Sequence, residues 1–345
     1  MEYILEFALF LAKTITLIGG LLLLISAVAL LGQKTKKMYK GHLEVTQLND
    51  HFHEMTETLQ NVLLDKDTLK ALSKQEKKEK KNLKKTKKDP EKVKPKVFVI
   101  DFNGDIKASG VKSLKEEITA ILTIAGKEDE VIVRLESAGG MVHAYGLASS
   151  QLCRIRSKGV PLTVTVDKVA ASGGYMMACT ADKILSAPFA VIGSIGVIAQ
   201  LPNFNKILKK HDIDLEIHTA GEFKRTLTVF GENTEKDREK FKQDIEDVHD
   251  LFKHFIKEYR EKVDIEKTAT GEVWYGKKAV EMQLVDEIMT SDEYICQKAK
   301  EADVVHVAYV VKKSVAEKLG VAANVVIDTV LMKWLGLSNS NRFLS

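Results

Sequence analysis

From Val97 onward, strand-like apolar runs alternate with amphipathic stretches, and that alternation limits the fold more than any other feature. "KVFVIDFNGDI" reads as a buried strand and a turn, and "SLKEEITAILTIA" (Ser113 to Ala125) as a helix. "EVIVRLES" (Glu130 to Ser137) is a strand ending in "AGG", "GLASSQLCRIRSKG" is a helix closed by Gly159, and "PLTVTVD" is a further strand. Apolar strands joined by helices of roughly 10 to 15 residues predict an α/β domain with mostly parallel strands. Sites in such sheets lie beyond the carboxyl ends of strands. Two glycine pairs fall there: Gly139-Gly140, and Gly173-Gly174 directly after Ser172.

The rest of the chain is organised around this domain. Ile184 to Leu201, "ILSAPFAVIGSIGVIAQL", is apolar enough to mimic a membrane span, but Pro188, Gly193, Ser194 and Gly196 predict short buried strands instead. Glu232 to Lys262 reads as a long charged amphipathic helix, and "GKKAVEMQLVDEI" as helix, turn and closing strand. Ala322 to Leu337 is amphipathic, suited either to pack on the core or to lie on a membrane surface.

Ala8 to Leu31 holds 24 residues and one charge, Lys13. About 20 apolar residues span a bilayer core. The run is long, lacks a clean small-residue cleavage site and is preceded by Glu2 and Glu6, so it reads as an uncleaved transmembrane anchor, not a signal peptide. Leu48, Phe52, Met55, Leu59 and Val62 then form a heptad-like stripe, able to pack on the body or on another subunit. The boundaries expected are 1–35 for the anchor, 36–96 for a lysine-rich helical linker, 97–300 for the catalytic domain and 301–345 for a C-terminal segment.

Net charge is +4, unevenly spread: Lys74 to Lys96 alone carries +8, from twelve lysines against four acids, leaving −4 elsewhere. With no aromatics interleaved and Glu mixed in, this run predicts a solvated linker near anionic lipid, not a nucleic-acid interface. Cys153, Cys179 and Cys296 have neither disulfide nor metal-site spacing.

Ser172 sits in "VDKVAASGGYMMA". A serine hydroxyl needs a base before it can attack. A strand-to-helix turn would expose Ser172 and aim its N–H and that of Gly173 at a developing oxyanion. The same residues also suit an N-cap serine followed by packing glycines. Three bases are available on the residues alone: His143 after the other glycine pair, Lys168 in the strand entering the turn, and Lys224 in "AGEFKRT". Lys224 is modestly favoured, because burial beside a serine would lower a lysine's pKa toward neutrality.

"LESAGGMV", "VDKVAASGGYMMA", "GSIGV" and "AGEFKRT", in that order, resemble the signal peptide peptidase A family, peptidase family S49. The anchor, the lysine-rich spacer and "LPNFN" (Leu201 to Asn205) are closest to its SohB branch. The resemblance implies a crotonase-like (ClpP-like) fold and a Ser-Lys dyad, with Ser172 as nucleophile and Lys224 as general base. It also implies that Ser194 orients the lysine amine and that Gly140 and Gly173 supply oxyanion N–H groups. No metal or cofactor is implied. The partners implied are a peptide or protein substrate, the lipid around the anchor, and further copies of the chain in a ring with active sites shared between neighbours. One departure is Ser137-Ala138-Gly139-Gly140, where the family has Ser-Pro-Gly-Gly; without proline the turn is less stiff. The "QLVD" stretch, Gln283 to Asp286, is expected to be structural.

The resulting expectation is a membrane-anchored serine endopeptidase acting on signal peptides or on membrane-associated or misfolded polypeptides. Two rivals share the scaffold: a CoA-ester enzyme, which would not need Ser172 with Lys224, and a non-catalytic oligomeric membrane scaffold. Lysines following the anchor put the body in the cytoplasm by the positive-inside rule. The resemblance instead implies the periplasmic face of a bacterial inner membrane.

Overall fold

The computed structural model describes residues 41–72 and 94–311, with isolated positions before residue 17 and at 74 and 78. The expected anchor (apart from isolated positions), most of the lysine run and the amphipathic stretch 322–337 lie outside the described residues. Among the described residues no helix is long and apolar enough to cross a membrane.

The strands among the described residues form one ten-stranded sheet, and its branching positions the candidate site. The main path runs β1 (Gly41–Gln47), β10 (Asp303–Val311), β2 (Lys96–Gly104), β3 (Glu130–Ser137), β4 (Leu162–Val166), β6 (Lys183–Ser186) and β9 (Glu287–Ile288). From β10 to β9 every pairing on this path is parallel. β3 pairs with β4 along Val131–Arg134, but its last residue, Ser137, pairs with Ala170 of β5 (Val169–Ala171). β5 in turn pairs with β7 (Val191–Gly193), which meets β8 (Val273–Tyr275) in antiparallel register. The chain thus passes from main sheet to branch twice, β4 to β5 and β6 to β7, as a repeating spiral. The short strands expected within Ile184 to Leu201 are β6 and β7.

Two apolar clusters occupy opposite faces of the main sheet, as alternate side chains on a strand require. On one face Ile100, Phe102, Val133 and Leu135 pack against α2 (Val111–Leu122), α3 (Val142–Ser157), α4 (Gly173–Ala178) and the buried Phe252 and Ile256 of α6 (Glu235–Tyr259). On the other, Val97, Val99, Ile132 and Val304 meet Tyr294 and Ile295 of α9 (Ser291–Lys298) and Leu48 and Phe52 of α1 (Leu48–Leu63). The heptad-like stripe therefore packs on the body through its first half, while Met55, Leu59 and Val62 stay exposed. Asn49 pins that end of α1: its amide donates to the carbonyls of Ala299 (2.9 Å) and Ala302 (3.0 Å), and its Oδ1 accepts from the Val304 N–H (2.7 Å).

The long charged helix expected from Glu232 is α6, opened by a capping box in which Thr234 and Asp237 satisfy each other's backbone N–H groups. Asp286 of the "QLVD" stretch accepts from the Ile184 N–H (2.7 Å) and receives both terminal nitrogens of Arg260 (2.9 Å each), while the Leu284 carbonyl accepts from the Tyr175 hydroxyl (2.9 Å). These bonds make the motif a structural clasp between β6, α4 and α6.

Candidate active site

Ser172 stands between β5 and α4 with φ 52° and ψ −120°, a conformation that favours glycine. A non-glycine residue held there costs on the order of 1–3 kcal/mol, and such strain concentrates at functional positions. Ser172 occupies the N-cap place of α4, yet its side chain makes no capping hydrogen bond. The capping role open to it in the sequence is therefore not the one it fills. Its backbone is fastened at both ends: its N–H donates to the Gly193 carbonyl (2.8 Å), and its carbonyl accepts from the Met176 N–H (2.9 Å).

The glycines serve in packing, the role the sequence left open for the pair after Ser172. They bring the chain's own segments together at distances a side chain forbids. A Cβ on Gly139, whose φ is +90°, would lie 2.7 Å from both the Gly173 nitrogen and the Ser172 Cβ. A Cβ on Gly173 would lie 2.8 Å from the Cβ of Tyr145 and overlap its ring. The loop after β3 is thereby pressed onto the turn carrying Ser172, and the Met141 N–H anchors the far side of that loop on the Ile106 carbonyl (2.8 Å).

A buried relay sets the loop's height. The Gly139 N–H donates to Ser137 Oγ (3.1 Å), Ser137 Oγ lies 2.6 Å from the Tyr145 hydroxyl, and that hydroxyl donates to the Asp105 carbonyl (2.8 Å). Tyr145 spends its only proton on Asp105, so the Ser137 hydroxyl must donate to Tyr145 and accept from Gly139. Burial raises the Tyr145 pKa, which keeps the relay's proton order intact. Ser137 and Tyr145 were missed in the sequence. The one available signal was that "LESAGGMVHAY" places a serine two residues before the glycine pair and a tyrosine five residues after it.

Gly140, Ser172 and Gly173 converge on a narrow cavity of about 20 Å³, room for one water-sized group. Its remaining walls are apolar or glycine: Val142, Met176, Gly196, Val197, and Val248 and Phe252 of α6. As an N-terminal residue of α4, Gly173 has an N–H without an intrahelical acceptor, and the Gly140 N–H makes no hydrogen bond among the described residues. Three of the five expected site residues are thus together.

The other two are not in this lining. Ser194, with φ 49°, directly follows the residue whose carbonyl holds Ser172, and its own N–H is tied to the Glu272 carbonyl (2.6 Å). Lys224 lies on an exposed stretch outside helix and strand, its N–H bonded to the Gly221 carbonyl (3.2 Å). Among the described residues no titratable group lines the cavity beside Ser172. Of the other base candidates, His143 is exposed in the first turn of α3 and Lys168 is paired with Glu136 (2.9 Å).

The profile of the peptidase family S49 N-terminal region matches residues 2–152, and that of peptidase family S49 matches residues 154–305. The chain belongs to peptidase family S49. Among its S49 relatives, a "Probable protease SohB" of Haemophilus influenzae is 52% identical over 324 residues, 91% of each chain. A "Putative protease SohB" of Buchnera aphidicola subsp. Baizongia pistaciae is 43% identical over 345 residues, covering 97% of this chain and 99% of that one. A solved membrane-bound stomatin-specific protease aligns at a TM-score of 0.42 and 14% identity over 66% of this chain and 96% of that one, too distant to bear on the site. S49 membership and the names of these relatives support a peptidase.

Proposed function

We propose that the chain is a membrane-anchored serine endopeptidase on a crotonase-like (ClpP-like) scaffold, with Ser172 as nucleophile and Lys224 as general base. The observation that carries the reading is Ser172 itself: a strained serine at a helix start, free of any capping bond, facing a cavity flanked by two available N–H groups. The spiral passage between main sheet and branch supports the scaffold.

In this reading neutral Lys224 takes the Ser172 proton, and the oxygen attacks a peptide carbonyl. The N–H groups of Gly140 and Gly173 stabilise the oxyanion. Lys224 returns the proton to the leaving amine, and water then hydrolyses the acyl-enzyme by the same route. Ser194 accepts from or donates to the lysine amine and orients it.

The absence of a base from the Ser172 cavity supports a site shared between copies of the chain. Lys224 rides on a stretch whose Ile213, Leu215, Ile217 and Phe223 are all exposed, an apolar surface suited to burial against a neighbour. The narrow apolar walls suit small apolar side chains next to the scissile bond, in keeping with signal peptides or membrane-associated polypeptides as substrates.

The test is fluorophosphonate labelling and peptide hydrolysis by the detergent-solubilised full chain. Wild type should label, and Ser172→Ala should not. Lys224→Ala should label at least a hundredfold more slowly. Mixing Ser172→Ala with Lys224→Ala should restore part of the hydrolysis if sites are shared. Full labelling of Lys224→Ala would overturn the dyad, and no recovery on mixing would confine the site to one chain.

A further inference from the structure

A second cavity, of about 290 Å³, lies on the other face of the main sheet and is polar. Two rows of side chains line it across adjacent parallel strands. Asp101, Arg134 and Thr165 are neighbours in register, and Asn103 and Glu136 pair two residues further on, with Asp167 two residues beyond Thr165. Parallel strands flanked by layers on both faces normally carry apolar side chains. Here the apolar cluster around Val99 and Ile132 gives way to charge toward the carboxyl ends, where open α/β sheets bind ligands. Ser137 bonds Tyr145 on the opposite face, and the cleft shares no lining residue with the Ser172 cavity, so the two are separate.

Part of the lining is already satisfied. Arg134 grips Asp101 with two hydrogen bonds (2.5 and 2.8 Å), and Lys168 pairs with Glu136 (2.9 Å). Against burial, hydrogen bonds from His306 and Arg134 hold the Asp101 carboxyl down to about 2. Both oxygens of Asp167 accept from Ser291, Oδ1 from its N–H (2.8 Å) and Oδ2 from its hydroxyl; among the described residues no cation forms an ion pair with them, and Arg134 acts on Asp167 and Asp292 only through its field. The Asp292 carboxylate forms no ion pair or hydrogen bond among the described residues. Above all, Thr165 is 1% exposed and its Oγ1 has no partner among the described residues. A merely solvated sheet end would not leave a buried hydroxyl orphaned, because such a group is costly unless something bonds it.

Four carboxylates face two cations around this cleft, an excess of two negative charges. No three of the acidic groups stand together as a metal site among the described residues. An alkylammonium ion fits instead: it carries positive charge and three directional donors, matching Thr165 Oγ1, Asp167 and Asp292. We propose that this cleft binds an alkylammonium group, supplied either by a free diamine or by a lysine side chain of a polypeptide.

The experiment is isothermal titration of the full chain with 1,5-diaminopentane and with Nα-acetyl-lysine amide. The neutral controls are 1-pentanol and Nα-acetyl-norleucine amide. An ammonium probe should bind saturably and its neutral analogue should not. Binding should weaken at least tenfold in Thr165→Val and in Asp292→Asn. The thermal midpoint of unliganded Thr165→Val should equal or exceed that of wild type, since an orphaned hydroxyl has been removed. Fluorophosphonate labelling of Ser172, measured in parallel, should be unchanged in both variants, which keeps this test independent of the proposed peptidase activity. A diamine binding tenfold more tightly than the lysine amide would name the free amine as ligand; the reverse order would name the polypeptide. No saturable binding by either probe, or binding undiminished in both variants, would overturn the proposal.

Discussion

The turn carrying Ser172 and the stretch carrying Lys224 are opposite kinds of structure. Around Ser172 everything is over-determined: a strained backbone tied at both ends, a neighbouring loop pressed in through Gly139, and a buried relay through Tyr145. Around Lys224 there is little regular structure, and large apolar side chains face outward. A nucleophile and its oxyanion donors must be held to within a fraction of an ångström, and one chain's core supplies that rigidity to the residues proposed for those roles. A base can arrive on a surface completed by something else. The half of the proposed dyad at Ser172 is built by folding; in the proposed function the Lys224 half is built by docking.

The sharpest way to break the comparison is to put the same methyl group into both regions. Gly139→Ala should cost about 3 kcal/mol in a urea titration and abolish labelling at Ser172, because its φ of +90° and the 2.7 Å approaches leave no room. Gly221→Ala also sits at positive φ, 96°, but nothing lies within 4 Å of its Cβ. It should cost about 1–2 kcal/mol and leave labelling intact. Equal losses would mean that the two regions are equally built.

Removing the relay is the next largest test. Tyr145→Phe leaves Ser137 Oγ and the Asp105 carbonyl without their partner and should cost about 1–3 kcal/mol. If the relay positions Gly140, kcat for peptide hydrolysis should fall with little change in KM. A parallel fall in stability with kcat intact would make Tyr145 a packing residue only.

The framework should also answer to pH on its own account. Burial pushes Glu117 of α2 up to about 7, against the hydrogen bond its carboxylate accepts from the Tyr309 N–H (2.7 Å). Between its ordinary value of 4.5 and about 7 the folded chain binds this proton more tightly than the unfolded chain does. Stability therefore falls as pH rises across that window, by about 3 kcal/mol, and the gain is fully present only below it. Glu117→Gln keeps an acceptor for Tyr309 and should flatten the slope in urea titrations from pH 4.5 to 7.5.

The smallest expected effect on stability is the most telling for the exposed stretch. Phe223→Ser should change the unfolding free energy by no more than about 0.5 kcal/mol, as for most surface substitutions. Hydrolysis should nevertheless fall with loss of the assembled form on size-exclusion chromatography. Unchanged assembly and turnover would remove that surface from the proposed site.

Much of this molecule was legible in its residues. The strand and helix alternation from Val97 to Asp167 predicted β2, β3, β4 and the helices between them, because apolar periodicity reports burial directly. Helix α3 begins at Val142, before the "GLASS" stretch, since the glycine loop turns straight into it. β1 and β10 were not anticipated. "GHLEVTQ" is mostly exposed, and "DVVHVAYVV" pairs with β2 across some two hundred residues, so neither strand's place follows from local pattern. At the site, Ser172, Gly140 and Gly173 were nameable from motif alone, and the structure brings them together.

Residue types and spacing thus determined which elements form, where the chemistry-bearing turn falls, and that a serine stands at a helix start. Only the tertiary structure decided that this serine does not cap its helix. A capping and a non-capping serine share one local sequence, and the difference lies in φ, in a carbonyl at Gly193 and in a tyrosine from another helix. The polar cleft has the same origin. Asp101, Arg134, Thr165 and Asp167 come from three strands and read as unremarkable alternation in each. They become a charged concavity only when parallel pairing sets them in rows, because side-chain neighbours across a sheet are fixed by register and not by sequence distance.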